Sequence, residues 1–257
     1  MFLIGKFFPE KLKSVLFGNR NLYGTQVNEE DKDWKYWQKE YHNFYNDTQK
    51  KGVGQFINNQ GYKILNNINF QDKKVLEIGP GSLYHLKYFS GIPEKFLLAD
   101  IDYKFLKTSM KKLENLNINT ELHLIKDRNN LEIDIDEKSI DCILTFYSLE
   151  HLYELEQNIL EYKKFLKPGG LIIGAVPCEG GLAWGLGRFI TSRRWMKKNT
   201  TIDPDKIICW EHPQYISSIK TVLDNNFQKV KNKFFPFYIM NGDINLLFSF
   251  VYKKIDS

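Results

Sequence analysis

"VLEIGPGSL", residues 75–83, is an apolar strand that runs into a turn with two glycines, Gly79 and Gly81, with Pro80 between them and an acid, Glu77, two residues before the first. A Gly-x-Gly after a strand is commonly a nucleotide-binding turn, because residues without a Cβ let the backbone approach a ligand. The dinucleotide fingerprint continues to a third glycine three residues on, and Tyr84 stands there instead. Those two departures bear on which nucleotide such a turn can hold.

Outward from this stretch, strands alternate with helices. "KKVLEI", "KFLLAD", "TELHLI", "SIDCILTF" and "GLIIGAV" read as buried strands. "SLYHLKYF", "YKFLKTSMKKLENL" and "LYELEQNILEYKKFL" read as helices between them. Such alternation predicts right-handed β-α-β units and a sheet covered on both faces. "HPQYISSIKTVLDNNF" reads as a further helix, and "QKVKNKFFPF" and "NLLFSFVYKK" as strands joined by a link too short for a crossover, so this pair is antiparallel. The expected fold is α/β: a Rossmann-like, doubly wound, seven-stranded sheet, mostly parallel with an antiparallel C-terminal strand. A helical N-terminal cap spans 1–70, where Trp34, Trp37, Tyr41, Phe44 and Tyr45 share one helical face. The main domain is 71–257, and residues 177–212 form an insertion at the carboxyl edge of the sheet, where open α/β sheets bind ligands.

In that crevice, a carboxylate at Glu77 suits a ligand with a cationic amino group and a sulfonium better than one with two phosphates. S-adenosylmethionine is such a ligand. Asp100 ends the second strand at the distance where a carboxylate accepts from ribose hydroxyls, with Ile101 beside it. Asp127, after strand three, reads either as an acceptor from an adenine amino group, with Lys126 and Arg128 around the ring, or as a turn residue.

The four segments "VLEIGPG", "LLADID", "SIDCILTFYSLEHL" and "FLKPGGLIIGAV", in this order over about 72–176, resemble the class I S-adenosylmethionine-dependent methyltransferases. The family often carries a third glycine where this chain has Leu83. The resemblance implies S-adenosylmethionine as cofactor, and places Tyr147 to His151 beside the transferred methyl group. "FYSLEHL" lacks the Asn/Asp-Pro-Pro-aromatic motif of enzymes that methylate base amines. Cys178 reads as a loop residue, not a thiolate nucleophile.

Methyl transfer to a hydroxyl needs a base, and histidine titrates near working pH, which nominates His212 and His151. An unperturbed histidine would give a rising limb near pH 6.5. His151 also reads as a residue that fixes the loop beneath the cofactor, and "EHPQ" as a helix start. No metal is required. The insertion "CEGGLAWGLGRFITSRRWMKK" interleaves Arg188, Arg193, Arg194, Lys197 and Lys198 with Trp184, Phe189 and Trp195, and includes Glu179. Read as a substrate surface, through Glu179, Arg188, Arg193, Arg194 and Trp195, it favours an anionic acceptor such as a phosphate-bearing or nucleotide-activated sugar. Read as a solvated basic face, it favours nothing. The overall look is loosely similar to bacterial methyltransferases of surface-polysaccharide and other small-molecule pathways. A lipid or quinone methyltransferase at the membrane surface and a non-catalytic S-adenosylmethionine-binding partner protein are the alternatives.

The net charge of +5 on 257 residues is too mild for wholesale nucleic-acid binding. Cys142, Cys178 and Cys209 share no Cys-x-x-Cys spacing and suit a reducing cytoplasm. The opening "MFLIGKFFPEKLKSVLFG", residues 1–18, sets large apolar residues among lysines and reads as a strap on the domain or as peripheral membrane contact.

Overall fold

The structure is a computed structural model that describes residues 4–45, 52–126 and 132–255. Among the described residues, the α-helices that precede the sheet are α1 (Glu10–Phe17), α2 (Arg20–Tyr23), α3 (Lys32–Phe44) and α4 (Gly52–Tyr62). Then follow β1 (Lys74–Ile78), β2 (Lys95–Asp100), α5 (Tyr103–Glu114), β3 (Thr120–Leu124), β4 (Ile140–Phe146), α6 (Leu155–Phe165) and β5 (Leu166–Pro177). The insertion folds as α7 (Leu182–Ile190), α8 (Ser192–Asn199) and α9 (Pro204–Glu211). The chain ends with α10 (Ile216–Asn226), β6 (Gln228–Phe235) and β7 (Leu247–Lys253).

The sheet has seven strands in the order β3-β2-β1-β4-β5-β7-β6, parallel except for β7, which runs antiparallel to β5 and β6. This is the architecture expected from the strand and helix pattern. Side chains alternate across it with period two. Leu76 and Ile78 of β1 join one apolar cluster with α6 and α10, while Val75 joins the other with Phe96, Leu98 and Leu144. By the same alternation Glu77 falls on the second side, a carboxylate in an otherwise apolar layer.

One expected helix is missing. Residues 84–88 form only a short 3-10 turn, because Leu83 just before it is left-handed, at φ 50°, and breaks helical continuity. Leu83 thus takes a backbone conformation that favours glycine, although the side chain is leucine. Such a conformation costs on the order of 1 kcal/mol, offset here by full burial of the side chain.

The N-terminal helices do not form a unit of their own. Helix α3 starts at Asp31, whose carboxylate accepts from the backbone N–H groups of Asp33 and Trp34. It buries Trp34, Trp37 and Phe44 against Met196, Ile202, Ile207 and Trp210 of the insertion. Lys206 of α9 donates to both Asp31 and Asp33 at 2.9 Å. By contrast α4 packs on β5 and β7. The cap is therefore α1–α3 together with α7–α9.

Trp37 is 2% exposed and its Nε1 donates to Glu211 at 2.8 Å. Replacing it with alanine should cost about 3–5 kcal/mol of stability, read by chemical denaturation, and should open the insertion to limited proteolysis before the sheet domain. Trp37→Phe, which keeps most of the packing, should cost clearly less.

Candidate active site

At the carboxyl edge of β1, Gly79 and Gly81 have φ of 69° and 51°. A Cβ on Gly81 would lie 2.6 Å from Tyr45 Oη, and one on Gly79 would lie 3.0 Å from Ser148 Cβ. Both positions thus require glycine for conformation and for space. Tyr45, which follows α3, is buried over this turn, and its hydroxyl bonds to Ser82. Beneath the turn, Glu77 is 1% exposed, with Oε2 at 3.2 Å from His85 Nε2 but without the alignment of a hydrogen bond. Burial pushes its pKa up, and the His85 charge opposes this.

At the end of β2, Asp100 Oδ1 accepts from Asp102 N at 2.8 Å. Burial raises its pKa to about 7, against the pull of the Asp102 and Ile101 N–H groups. Ile101 is exposed beside it, and Asp102 pairs with His42 of α3 at 3.0 Å. Tyr147, just past β4, is left-handed at φ 58°, and its hydroxyl donates to Asn58 O at 2.8 Å. Lys126 is exposed, and Asp127 and Arg128 lie outside the described residues.

The residues present fit an adenosyl ligand with an amino-acid end. They comprise a glycine turn with no room for a Cβ, a buried carboxylate with an orphaned oxygen below it, and a desolvated carboxyl at the next strand end. Glu77 and the turn would face the amino-acid end, and Asp100 the ribose.

A second constellation lies where the insertion returns. Glu179, two residues past β5, is fully buried, and its Oε2 accepts from Trp184 Nε1 at 3.0 Å, from His212 Nδ1 at 2.9 Å and from Arg188 Nη2. Burial would raise its pKa, but the Arg188 charge and the bond from His212 hold it down to about 2. The carboxylate is thus ionised and can only accept, which fixes the hydrogen of neutral His212 on Nδ1 and leaves Nε2 with a lone pair. His151 Nδ1 meets the carbonyl oxygen of Glu211, an acceptor too, and lies 3.3 Å from Glu211 Oε2. The two imidazoles cross edge to face, 4.7 Å between centroids.

Their environments push them apart. Burial lowers His212 to about 4; Glu179 resists, and His151 adds to the fall. Burial also disfavours charge on His151, but the bond to Glu211 and the charge of Glu150 raise it above the ordinary value. Glu150 is buried, with Oε2 unpartnered, and burial lifts it to about 7.

The structure brings His151, His212, Glu179 and Arg188 together, but not the expected set of anion-binding arginines. Arg188 is paired with Glu179, and Arg193 is buried against Asp205; only Arg194 of these is exposed. Their role as acceptor contacts is corrected to packing for the first two, since a guanidinium committed to a buried carboxylate is not open to a second anion. Trp195 packs on Phe44. Cys178 is buried, which pushes its thiol well above the usual range. Arg20 was not anticipated: it donates to the carbonyls of His212 and Pro213 at 2.7 and 2.8 Å and stacks on Tyr215. A lone arginine in "FGNRNLYG" carries no local signal for this role.

Residues 76–174 match a family model described as a methyltransferase domain. No curated protein sequence matches the chain. Among solved structures, the chain resembles the N-methyltransferase NodS from Bradyrhizobium japonicum, solved with S-adenosyl-L-homocysteine (TM-score 0.57, 13% identity, covering 88% of this chain and 100% of that one). It also resembles a protein from Pyrococcus horikoshii (0.55, 15%, 82% and 98%) and a putative S-adenosylmethionine-dependent methyltransferase from Listeria monocytogenes (0.52, 17%, 79% and 100%). At such identities the likeness is one of fold. The family match makes residues 76–174 a methyltransferase domain, and the whole chain shares its fold with structures of S-adenosylmethionine-dependent methyltransferases.

Proposed function

We propose that the protein is an O-methyltransferase in which His212 removes the acceptor's proton and His151 orients the acceptor oxygen. The observation that carries this is the crossed histidine pair with pKa values driven in opposite directions, an arrangement that separates base from acid. S-adenosylmethionine, when bound, supplies an electrophilic methyl group. His212 is neutral at working pH with Nε2 free, and Glu179 accepts from Nδ1 and so steadies the imidazolium that forms. A base of pKa about 4 is weak but always available. His151, the more basic partner, donates toward the acceptor oxygen and adds positive charge beside the oxyanion. The histidines are coupled, so their titration belongs to the pair.

For the acceptor we infer a hydroxyl-bearing small molecule, such as a phosphate-bearing or nucleotide-activated sugar of bacterial surface-polysaccharide biosynthesis. Its support is the exposed cations Arg194, Lys197 and Lys198 of α8. A cytoplasmic setting agrees with three free, buried cysteines.

Asp100→Ala should weaken S-adenosylmethionine binding at least tenfold by calorimetry, since two charge-assisted bonds are removed, each worth about 1.5–3 kcal/mol. In the parent, Asp100 binds best as the anion. Affinity should therefore rise between pH 6 and 8 as the carboxyl, held near 7, ionises. The variant should lose that rise.

His212→Ala should lower kcat by about 100-fold to 10,000-fold with cofactor binding intact. With both substrates saturating, parent kcat should fall on the acid side as pH drops through about 4, because the base is needed unprotonated, and on the alkaline side as His151 loses the proton it donates. A rising limb above the ordinary histidine range that vanishes in His151→Ala would transfer the role to His151. Full activity in both variants would mean that the acceptor oxygen is already ionised.

A further inference from the structure

Helix α7 has two faces of opposite character. Gly185 and Arg188 point inward, Gly185 onto Leu16 and Phe17 of α1, and Arg188 onto Glu179. Leu186, Phe189 and Ile190 point outward, 49%, 44% and 66% exposed, at the i, i+3, i+4 spacing of one helical stripe. Two other segments with exposed apolar side chains meet this helix at one residue. Asp243, itself buried, accepts from Ile4 N through Oδ2 and from Ala183 N through its carbonyl. It lies in the link between β6 and β7, where Phe237, Tyr238, Ile239 and Met240 are all exposed, as are Ile4 and Phe7 at the N-terminal end. Asn245 fixes that link by donating to the carbonyls of Ile239 and Asn241. So the exposed apolar groups sit on segments held in fixed relation to one another.

Charge decides what would cover them. From 180 to 202 the chain has no acid. Of its five basic residues, Arg188 and Arg193 are paired with buried carboxylates, while Arg194, Lys197 and Lys198 of α8 are exposed. Lys11 of α1 is exposed too. Exposed apolar side chains on α7 together with exposed cations on α8 and α1, both packed against it, are complementary to an interface with acyl chains below and phosphate head groups above. Among the described residues, no helix is long and apolar enough to cross a membrane, so contact would be peripheral.

We propose that α7, the N-terminal turn and the β6–β7 link dock the protein on an anionic lipid surface, with α8 supplying the electrostatic contact. Docking of this kind is independent of which atom is methylated. It puts the helix that holds Glu179 at the bilayer, and so presents the histidine pair to acceptors whose polar part lies at the head-group level.

Co-sedimentation of the full chain with vesicles tests this, comparing phosphatidylcholine alone with phosphatidylcholine mixed with phosphatidylglycerol. The parent should bind the mixed vesicles, bind neutral ones much less, and release as salt rises well above about 0.1 M, where exposed charges are screened. Phe189→Ser with Ile190→Ser should weaken binding at least about tenfold. Lys197→Glu with Lys198→Glu should weaken it by a similar factor and reduce its salt dependence, with Arg194 and Lys11 left to act. All these positions are exposed, so melting temperature and S-adenosylmethionine binding should match the parent's. Absence of binding to mixed vesicles, or binding that both double variants leave unchanged, overturns the proposal. So does sedimentation velocity showing a dimer that Phe189→Ser with Ile190→Ser dissolves, with no vesicle binding, since the face would then contact a second copy.

Discussion

A single oxygen, Glu179 Oε2, accepts from an indole, a guanidinium and an imidazole. An ionised carboxylate without solvent must be paired and hydrogen-bonded or it destabilises the fold by several kcal/mol. The donors are Trp184 and Arg188, one turn apart on α7, and His212 at the far end of the insertion. Pairing that one charge therefore closes the loop from β5 through three helices. It also sets the tautomer of His212, whose imidazole burial keeps neutral against the pull of that carboxylate.

The sheet was legible because period-two and helical patterns in the strands and crossovers have no strong competitor, and the glycine turn marks its own conformation. The helix after β1 was not legible. Its apolar spacing is helical, yet Leu83 adopts a left-handed backbone that leucine side chains disfavour, and no local composition announces that. Candidate-site residues divide the same way. Gly79, Gly81 and Asp100 follow from position along a known topology. The arginines of the insertion suggested an anion because their counter-charges lie elsewhere in sequence: Glu179 nine residues before Arg188, and Asp205 twelve after Arg193. His151 and His212 looked like rivals in sequence, and only the chain's return through "WEHPQ" shows them as neighbours.

The return itself is held from outside the methyltransferase domain. Arg20 grips the His212 and Pro213 carbonyls, and Trp210 Nε1 donates to Tyr23 O at 3.0 Å. Tyr153 Oη donates to Trp210 O, and Gln214 to the carbonyls of Leu152 and Tyr153, so the loop after β4 is bound to the same strip. Backbone carbonyls serve as the acceptors throughout, which is why no pattern of side-chain types reveals the arrangement.

A cap assembled from two stretches, separated by most of the sheet, has an evolutionary corollary. Recombination or engineering that grafts the insertion alone onto another class I core would import α7–α9 without the tryptophans and arginine that pack and hold them. The N-terminal helices and the insertion would have to be exchanged together, as one packing unit although they are not contiguous in the chain.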